Sequence, residues 1–564
     1  MVLDLMRLTG DQTRRFNDLS KNLVPDFHLI LDELYLRSNK NLGFLFSAIM
    51  SRNPYVSNFY FFLVQISFVD NELKINPYTE IRVYSSCVHD VLSRKWPSVK
   101  VRNMNKFDTF YKNFSVFYNL LKIFVIVGAF LLDNIFFKRS NYYLDNKAKI
   151  LLDIFWDKSM FINDKYHDRY YGNFLNYLSK KEKEMILFCP HLVDVRHIGF
   201  VRKRSNSLDL NVIYKHNFLT LWDFCSIILR LFRSPDIISK TNRKALLWNN
   251  FDISEVIRYE LNYSNFNTST FYALCNYYFV ASLKSSGFSG FELFINWFEN
   301  QPIDRGLNKG FHDFYPKTKT KGYQGFVVSF DFNFYLSPTS LEDELGLIPQ
   351  QIITCGEGLI TEVKRYNENL RVSYTSAFRF EHVWLRKIGK VSDNFRVLVV
   401  LPFIKKEAKY LIRFLLTIAN EKILGDVVFS LRLHPDLCLR DFNSIKGMFP
   451  PNVVFDTDVV DRSIYQSQLI IGNTSSLITE ALASGLRAII IPGSDGFVQN
   501  PIPRTVEISL WKVVYSSQEL LNEILHYKSI QGLTGADTDI RSESIKKQYF
   551  EPVTRNHIKN FIKC

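Results

Sequence analysis

Cysteine is scarce in this chain: seven in 564 residues, at Cys87, Cys189, Cys225, Cys275, Cys355, Cys438 and Cys564. No two are spaced as CxxC and their number is odd, so neither a zinc site nor a disulfide framework is supported, and a reduced cytosolic compartment fits. The start, MVLDLMRLTGDQTRRF, lacks the apolar core and cleavage site of a signal peptide. Internal repeats and low-complexity tracts are absent, and so is the basic-aromatic motif of a nucleic-acid module. The net charge of +14 therefore points to an anionic membrane surface or to anionic substrates, with no nucleic-acid partner.

What is present is globular. With 47% hydrophobic and 22% charged residues, the chain has room for two or three domains with large cores. The 50 Phe and 29 Tyr fit the compositional bias of a low-GC genome and carry no functional weight. Two apolar stretches stand out. Residues 116–137 are interrupted by Lys122 and Asp133 and followed by Lys138 and Arg139. Their unbroken run, 123–132, is too short to span a bilayer unaided. Residues 219–232 form the second. Each reads either as a buried helix or as an interfacial helix docking on the inner membrane, given the basic flanks.

The most informative stretch is 469–493, LIIGNTSSLITEALASGLRAIIIPG. An apolar strand, 469–471, ends at Gly472-Asn473. A Thr474-Ser475-Ser476 turn leads into a short helix, 477–484, that carries Glu480 and stops at Gly485. A second strand, 488–491, ends at Pro492-Gly493. The hydroxyl turn lies at the carboxyl end of a parallel strand, where open α/β sheets bind ligands. It offers hydroxyls and backbone N–H groups to a phosphate. Upstream, a strand at 427–433 ends in His434-Pro435, so the imidazole can meet the same ligand. Alone, a Ser-Ser pair is an ordinary helix cap and a His-Pro pair an ordinary turn. Their joint placement at strand ends in one βαβ series favours function.

Around these motifs the C-terminal half alternates regularly, with strands at 395–401, 426–433 and 452–455 and helices at 407–421 and 461–468, as in a doubly wound parallel sheet. A basic helix at 542–563 ends the chain. The N-terminal half is less regular. Strands are expected at 81–84, 148–155, 185–188 (ending at Cys189-Pro190-His191), 291–298 (ending at Glu299-Asn300-Gln301), 321–328 and 350–354. Helical insertions are expected at about 92–147 and 205–250. The domains are then 1–390, 391–540 and a last helix, 541–564, that crosses back.

Strand–His-Pro followed by strand–Ser-Ser–helix–Glu–Gly–strand–Pro resembles the C-terminal half of GT-B glycosyltransferases. Its match is to bacterial transferases that use CMP-activated sugars, the sialyltransferase and Kdo-transferase groups, over about residues 290–500. The resemblance implies an α/β, GT-B fold of two Rossmann-like domains facing a cleft. It implies that His434, Pro435, Ser475 and Ser476 hold the donor phosphate, next to the Thr474 hydroxyl of the same turn, and it places Glu480 near the family's donor-contacting acid. It implies transfer of a CMP-linked nonulosonic acid or Kdo to a lipid-linked or oligosaccharide acceptor, in bacterial surface-polysaccharide synthesis (O-antigen, capsule or lipooligosaccharide). It implies no metal and no cofactor besides the donor.

For the general base the choice is Glu299, at a strand end. The family's pattern is two acids and a Gly where this chain has Glu-Asn-Gln, and the competing reading has Glu299 capping the next helix. Asp304 and Glu357 are reserves. Gly322-Tyr323-Gln324 resembles a cleft-facing acceptor loop of capsule-type transferases, or is an ordinary turn. Asp456-Thr457-Asp458 spells DxD but reads as a nucleotide-contacting loop or a helix cap. Lys405, Lys406 and Arg432 are weaker phosphate candidates. Asp168-Arg169-Tyr170-Tyr171 is a charged-aromatic cluster on the acceptor side. Rival readings are a UDP- or GDP-sugar donor, a CDP-alcohol phosphotransferase (disfavoured by the lack of a second His near residue 300), and a membrane-docked scaffold with a degenerate transferase fold.

Overall fold

The computed structural model describes residues 1–38, 41–137, 148–162, 165–208, 210–233, 246–264, 266–288, 290–386, 394–530 and 535–563. The expected boundary at 390/391 lies outside them, as do parts of both expected insertions, 138–147 and 234–245.

The chain begins with β1 (Val2–Asp4), α1 (Gly10–Arg37), α2 (Phe59–Ile75), β2 (Glu80–Val83), β3 (Lys100–Asn103) and α3 (Asp108–Phe136). The strands form a parallel three-stranded sheet of their own, in the order β1-β2-β3. The strand expected at 81–84 is thus β2 of this sheet, and β3 corrects the expectation that the insertion at about 92–147 is helical. α1 starts where Thr9 and Gln12 form a reciprocal capping box, and its Phe16, Leu23, Phe27, Leu31 and Leu34 line one buried face.

The second sheet holds β4 (Ile150–Trp156), β5 (Ile186–Leu192), β6 (Asn211–Val212), β7 (Leu293–Trp297), β8 (Lys319–Gln324), β9 (Gln351–Thr354) and β10 (Val372–Tyr374). All are parallel, in the order β10-β9-β8-β7-β4-β5-β6. The central strands read ILLDIFW and LFINW, near-continuous apolar runs, because helices cover both faces. Cys189, Pro190 and His191 lie within β5 rather than at its end, and β6 adds an edge strand inside the expected helical insertion 205–250. Of helices α4 (Leu221–Arg233), α5 (Thr268–Ser285) and α6 (Pro302–Phe314), α6 stacks Phe311 on Phe294 of β7, α5 packs on α6 and α4 on α5.

Small residues let α5 and α6 cross closely. A Cβ on Gly306 would stand 2.0 Å from the Ala273 carbonyl oxygen, and one on Gly310 2.8 Å from Val280. Gly306→Ala is therefore expected to lower stability by about 1–3 kcal/mol through overpacking against backbone. An unchanged urea midpoint would show that the helices separate freely.

The third sheet holds β11 (Phe395–Val400), β12 (Val427–Arg432), β13 (Val453–Phe455), β14 (Leu469–Gly472), β15 (Arg487–Ile490) and β16 (Trp511–Val513). It is parallel, in the order β13-β12-β11-β14-β15-β16. α7 (Lys405–Ala419) buries Ala408, Leu411, Ile412, Leu415 and Ile418 at helical spacing. α8 (Leu477–Leu482) is a short turn of helix after β14, and α9 (Ser517–Ser529) packs beside α7. The two large sheets are Rossmann-like, and the chain has the α/β, GT-B type of fold.

The expected single helix at 542–563 is two helices, α10 (Gly535–Tyr549) and α11 (Arg555–Phe561). Pro552 breaks it, lacking an N–H and disfavouring helix at the preceding residue. Both pieces lie against the second sheet. Glu551 N–H donates to the Cys355 carbonyl (2.9 Å) and Ala377 N–H to that of Glu551 (2.8 Å). Lys321 Nζ donates to the carbonyls of Phe561 and Lys563 (3.0 and 2.9 Å).

The N-terminal unit touches both large sheets. Asn17 bonds Gly496 and Val498 (2.8 Å each) and Phe16 packs on Phe497, so the loop after β15 is seated on α1. Toward the second sheet, the buried Glu342 carboxylate takes hydrogen bonds from Arg52 (3.0 and 2.5 Å), from Thr339 N–H (2.8 Å) and from Arg305.

Candidate functional site

In each large sheet the first strand has later strands added on both sides, so each has a crevice where the strand order reverses. Ligands of open α/β sheets bind outside the carboxyl ends at that point. In the third sheet it lies between β11 and β14. Val400 is level with Arg432, and Val399 with Ile471. His434, two residues past Arg432, and Thr474, two past Gly472, thus leave the sheet at one level on either side of β11. Two strand spacings separate them, about 10 Å. The Pro402–Ile404 loop runs between, with Phe403 half exposed and its ring 6.0 Å from the His434 imidazole.

His434 is oriented by its own loop. Asp436 N–H donates to Nδ1 (3.2 Å), and the Asp436 carboxylate lies 3.4 Å from the same atom. With Nδ1 accepting, the neutral ring carries its proton on Nε2. Burial lowers the imidazole pKa, Asp436 opposes this, and Arg169 adds to the lowering. Arg169 belongs to the segment after β4, so the second sheet brings a positive charge within electrostatic reach of His434. Across β11, Ser475 Oγ accepts from Leu477 N–H (3.3 Å) as a local turn cap, while Thr474 is held by the Asn473 side chain (2.8 Å).

The second sheet's crevice lies between β4 and β7. Glu299 follows β7, and its carboxylate accepts from Trp297 Nε1 (2.7 Å). Tyr170 stands edge-on to the Trp297 indole at 5.0 Å. Burial raises the Glu299 pKa, against the Trp297 hydrogen bond and the charge of Arg379. The helix-capping reading of Glu299 is corrected: the N-cap is Gln301, and the reserve base Asp304, third in the helix, completes its capping box by accepting from Glu299 N–H (2.9 Å) and Gln301 N–H (3.0 Å). Asp304 is buried and bound, whereas the Glu299 carboxylate is held by the Trp297 indole and the Gln301 side chain. Asn300 adopts φ +52°, a turn Asn tolerates, and its side chain is tied to the Tyr335 carbonyl (2.8 Å).

Other expected residues stand elsewhere. Gly322, Tyr323 and Gln324 are no cleft loop; they lie in β8, all buried. A Cβ on Gly322 would meet Pro349 at 2.5 Å. Tyr323 OH donates to Ser376 O (2.9 Å), and Gln324 Nε2 to Leu336 O (3.1 Å). The acceptor-side assignment of these three is corrected, because inward strand positions are taken up by packing. Glu480 is also engaged, paired with Arg386 and His382 (2.9 Å each). Burial raises its pKa, but the His382 hydrogen bond and the Arg386 charge outweigh burial and hold it down. Its place is the junction between the sheets, not an open donor pocket. Arg432 clasps Asp456 (2.9 Å) and the Asp458 carbonyl (3.0 Å), closing the DxD-like loop. Lys405 pairs with Asp441 (2.6 Å). The Gly356–Gly358 stretch around Glu357 lies under Gln548 and Tyr549 of α10. Among the described residues no group of three or more His, Cys, Asp or Glu side chains gathers as a metal site.

Arg169 and Arg379 are both exposed and bring positive charge to His434 and Glu299 respectively. Arg169 was named in sequence within the charged-aromatic cluster, on the acceptor side; Arg379 is the residue that sequence reasoning missed. It had no sequence signal, since it follows a short edge strand.

No family model and no curated protein matches the chain. Among solved structures it is similar to the N-terminal domain of Candida albicans trehalose-6-phosphate phosphatase (10% identity, TM-score 0.40, covering 74% of this chain and 96% of that one). It is similar to the UDP-GlcNAc 2-epimerase of Neisseria meningitidis bound to UDP-GlcNAc (10%, 0.40, 73% and 98%) and to Acinetobacter baumannii MurG (9%, 0.39, 74% and 99%). A likeness of this size says nothing of ligand or reaction.

Proposed function

We propose that the chain is a metal-independent glycosyltransferase that moves a sugar from a nucleotide donor to a glycan hydroxyl. The donor is a CMP-linked nonulosonic acid or Kdo, and the setting is bacterial surface-polysaccharide synthesis. One observation carries this reading: His434, its Nε2 proton directed by the Asp436 bond to Nδ1, stands level with Thr474–Ser476 at the reversal point of the third sheet. The donor phosphate lies in that crevice, with the three hydroxyl residues on one side and the imidazole on the other. Glu299 takes the acceptor hydroxyl proton. The acceptor oxygen then bonds to the anomeric carbon as the bond from that carbon to the phosphate oxygen breaks. The electron pair leaves on the phosphate, where His434 Nε2–H donates to it and Arg169 adds positive charge. The two crevices hold donor and acceptor on facing walls, so alignment comes from the fold.

Calorimetry with CMP, CDP, UDP and GDP, without added metal, tests the reading. Selective binding of CMP is expected, weakened about 10²-fold in His434→Ala, as for loss of a charge-assisted hydrogen bond of roughly 2–3 kcal/mol. Selective UDP or GDP binding would replace the donor, and no binding by the folded protein would leave the scaffold reading.

A further inference from the structure

Of the two readings of residues 116–137, the buried helix fails in an informative way. α3 has 29 residues, and only 22% of its most apolar window is buried. Ile123, Ile126, Val127 and Phe130 face the protein. Outward, Phe110, Phe114, Phe117, Leu121, Phe124 and Leu132 are all more than half exposed. Their spacing of three, four or eight residues places them on one stripe, which with Phe136 runs about 40 Å along the helix at 1.5 Å per residue. Soluble surfaces rarely leave so long an apolar ridge unpartnered. The adjoining α4 extends it. Phe224 of α4 meets Phe130 of α3 at 6.4 Å, and Trp222 at the start of α4 is 81% exposed.

The carboxylates beside the ridge are engaged locally, Asp194 by Arg196 and Asp223 by Thr220 N–H (2.7 Å each). α3 carries two carboxylates, and both are turned inward. Asp108 accepts from Tyr259 OH (2.8 Å) and Ser86 N–H (2.9 Å). Asp133 accepts from His216 (2.8 Å) and Arg202. The helix's exposed side keeps Lys122. The Val195–His197 turn packs on α3 and brings the exposed Arg196, paired with Asp194 at 2.7 Å, beside it. α4 ends in exposed Arg230 and Arg233.

By length and composition α3 is able to cross a bilayer, but its attachments forbid it. Asp108 at the first residue and Asp133 near the last are both bonded into the same folded unit, so the helix lies along the protein surface from end to end. A second copy of the chain is a poor occupant, because a two-fold contact through this face would set Lys122 and Arg196 against their own like charges. We infer that the α3–α4 ridge is a docking surface for a bilayer of anionic phospholipid. The Phe stripe and Trp222 enter the interfacial layer with α3 parallel to the membrane, and the basic residues at its border contact the headgroups. This holds independently of the transferred sugar and of the transfer reaction itself.

The test is flotation of the full chain with vesicles of phosphatidylcholine alone and with added phosphatidylglycerol. Binding to the anionic vesicles is expected, released by raised salt or an alkaline carbonate wash. It should weaken about tenfold or more in the exposed-site double variant Phe117→Ser/Leu121→Ser. Lys122→Glu should weaken it severalfold with the apolar stripe intact. Four results would overturn the inference: no flotation with either vesicle, equal flotation of both variants, resistance to carbonate, which would mean a spanning helix, or a dimer dissolved by the double variant without any vesicle binding.

Discussion

Glu299→Gln should lower kcat by about 10²–10⁴-fold, the range for loss of a general base, while nucleotide affinity stays within about twofold. The split follows from geometry. Glu299 ends β7 in the second sheet, whereas the proposed donor site lies on the third, so removing the base leaves the phosphate contacts untouched. Gln retains the shape of the side chain and an oxygen for the Trp297 indole. The pH profile supplies an independent check. A base must be ionised, and burial raises the Glu299 pKa above its ordinary 4.5. The acid limb of kcat/KM therefore lies at higher pH than an exposed glutamate would give. The Trp297 bond and the Arg379 charge both favour the ionised form, so Trp297→Phe and Arg379→Ala should each move that limb further up. A Gln variant with wild-type turnover, or a limb that moves down in Trp297→Phe, would remove Glu299 from the reaction.

The largest stability effect is expected at Glu342. This buried carboxylate joins Arg52 of the N-terminal unit to Arg305 of α6, and all three are nearly inaccessible to water. Glu342→Gln leaves two guanidinium groups buried around a neutral amide, a loss of about 3–5 kcal/mol. The double variant Arg305→Met/Glu342→Gln keeps the net charge of the wild-type cluster and should lose less than the single, since residues in one network do not add. Burial opposes ionisation of Glu342, but Arg52 and Arg305 outweigh it and hold its pKa below 4.5. For a carboxyl lowered in the folded state, the stabilisation is complete above the unfolded value and is lost as pH falls through the folded one. The gap between wild type and Glu342→Gln should therefore be constant near neutrality and narrow below about pH 4.5. Urea unfolding followed by tryptophan fluorescence measures both. A difference under 1 kcal/mol at pH 7 would mean that water reaches the cluster.

The alternation of strands and helices from residue 395 to 491 was legible in the sequence because its causes are local. Runs such as FRVLVV and LIIG are strands buried on both faces, α7 shows its apolar period, and Gly485 (φ +92°) ends the helix turn. The same local logic located His434, Thr474–Ser476 and Glu299 at strand ends. Which of these side chains are unoccupied was not local. Asp304 and Glu299 look alike in sequence, yet Asp304 is spent in the capping box of α6 whereas Glu299 lies beside the Trp297 indole. Gly322-Tyr323-Gln324 reads as a turn by composition, but neighbours from Phe298 to Ser376 make it the inside of a strand. Glu480 was taken by His382 and Arg386, nearly a hundred residues away, and Glu342 joins an arginine 290 residues upstream. The separate N-terminal sheet and the outward turn of the α3 ridge were likewise decided by tertiary structure. A hydrophobic period states that a helix has an apolar face, whereas only the assembled fold determines whether that face meets protein or water.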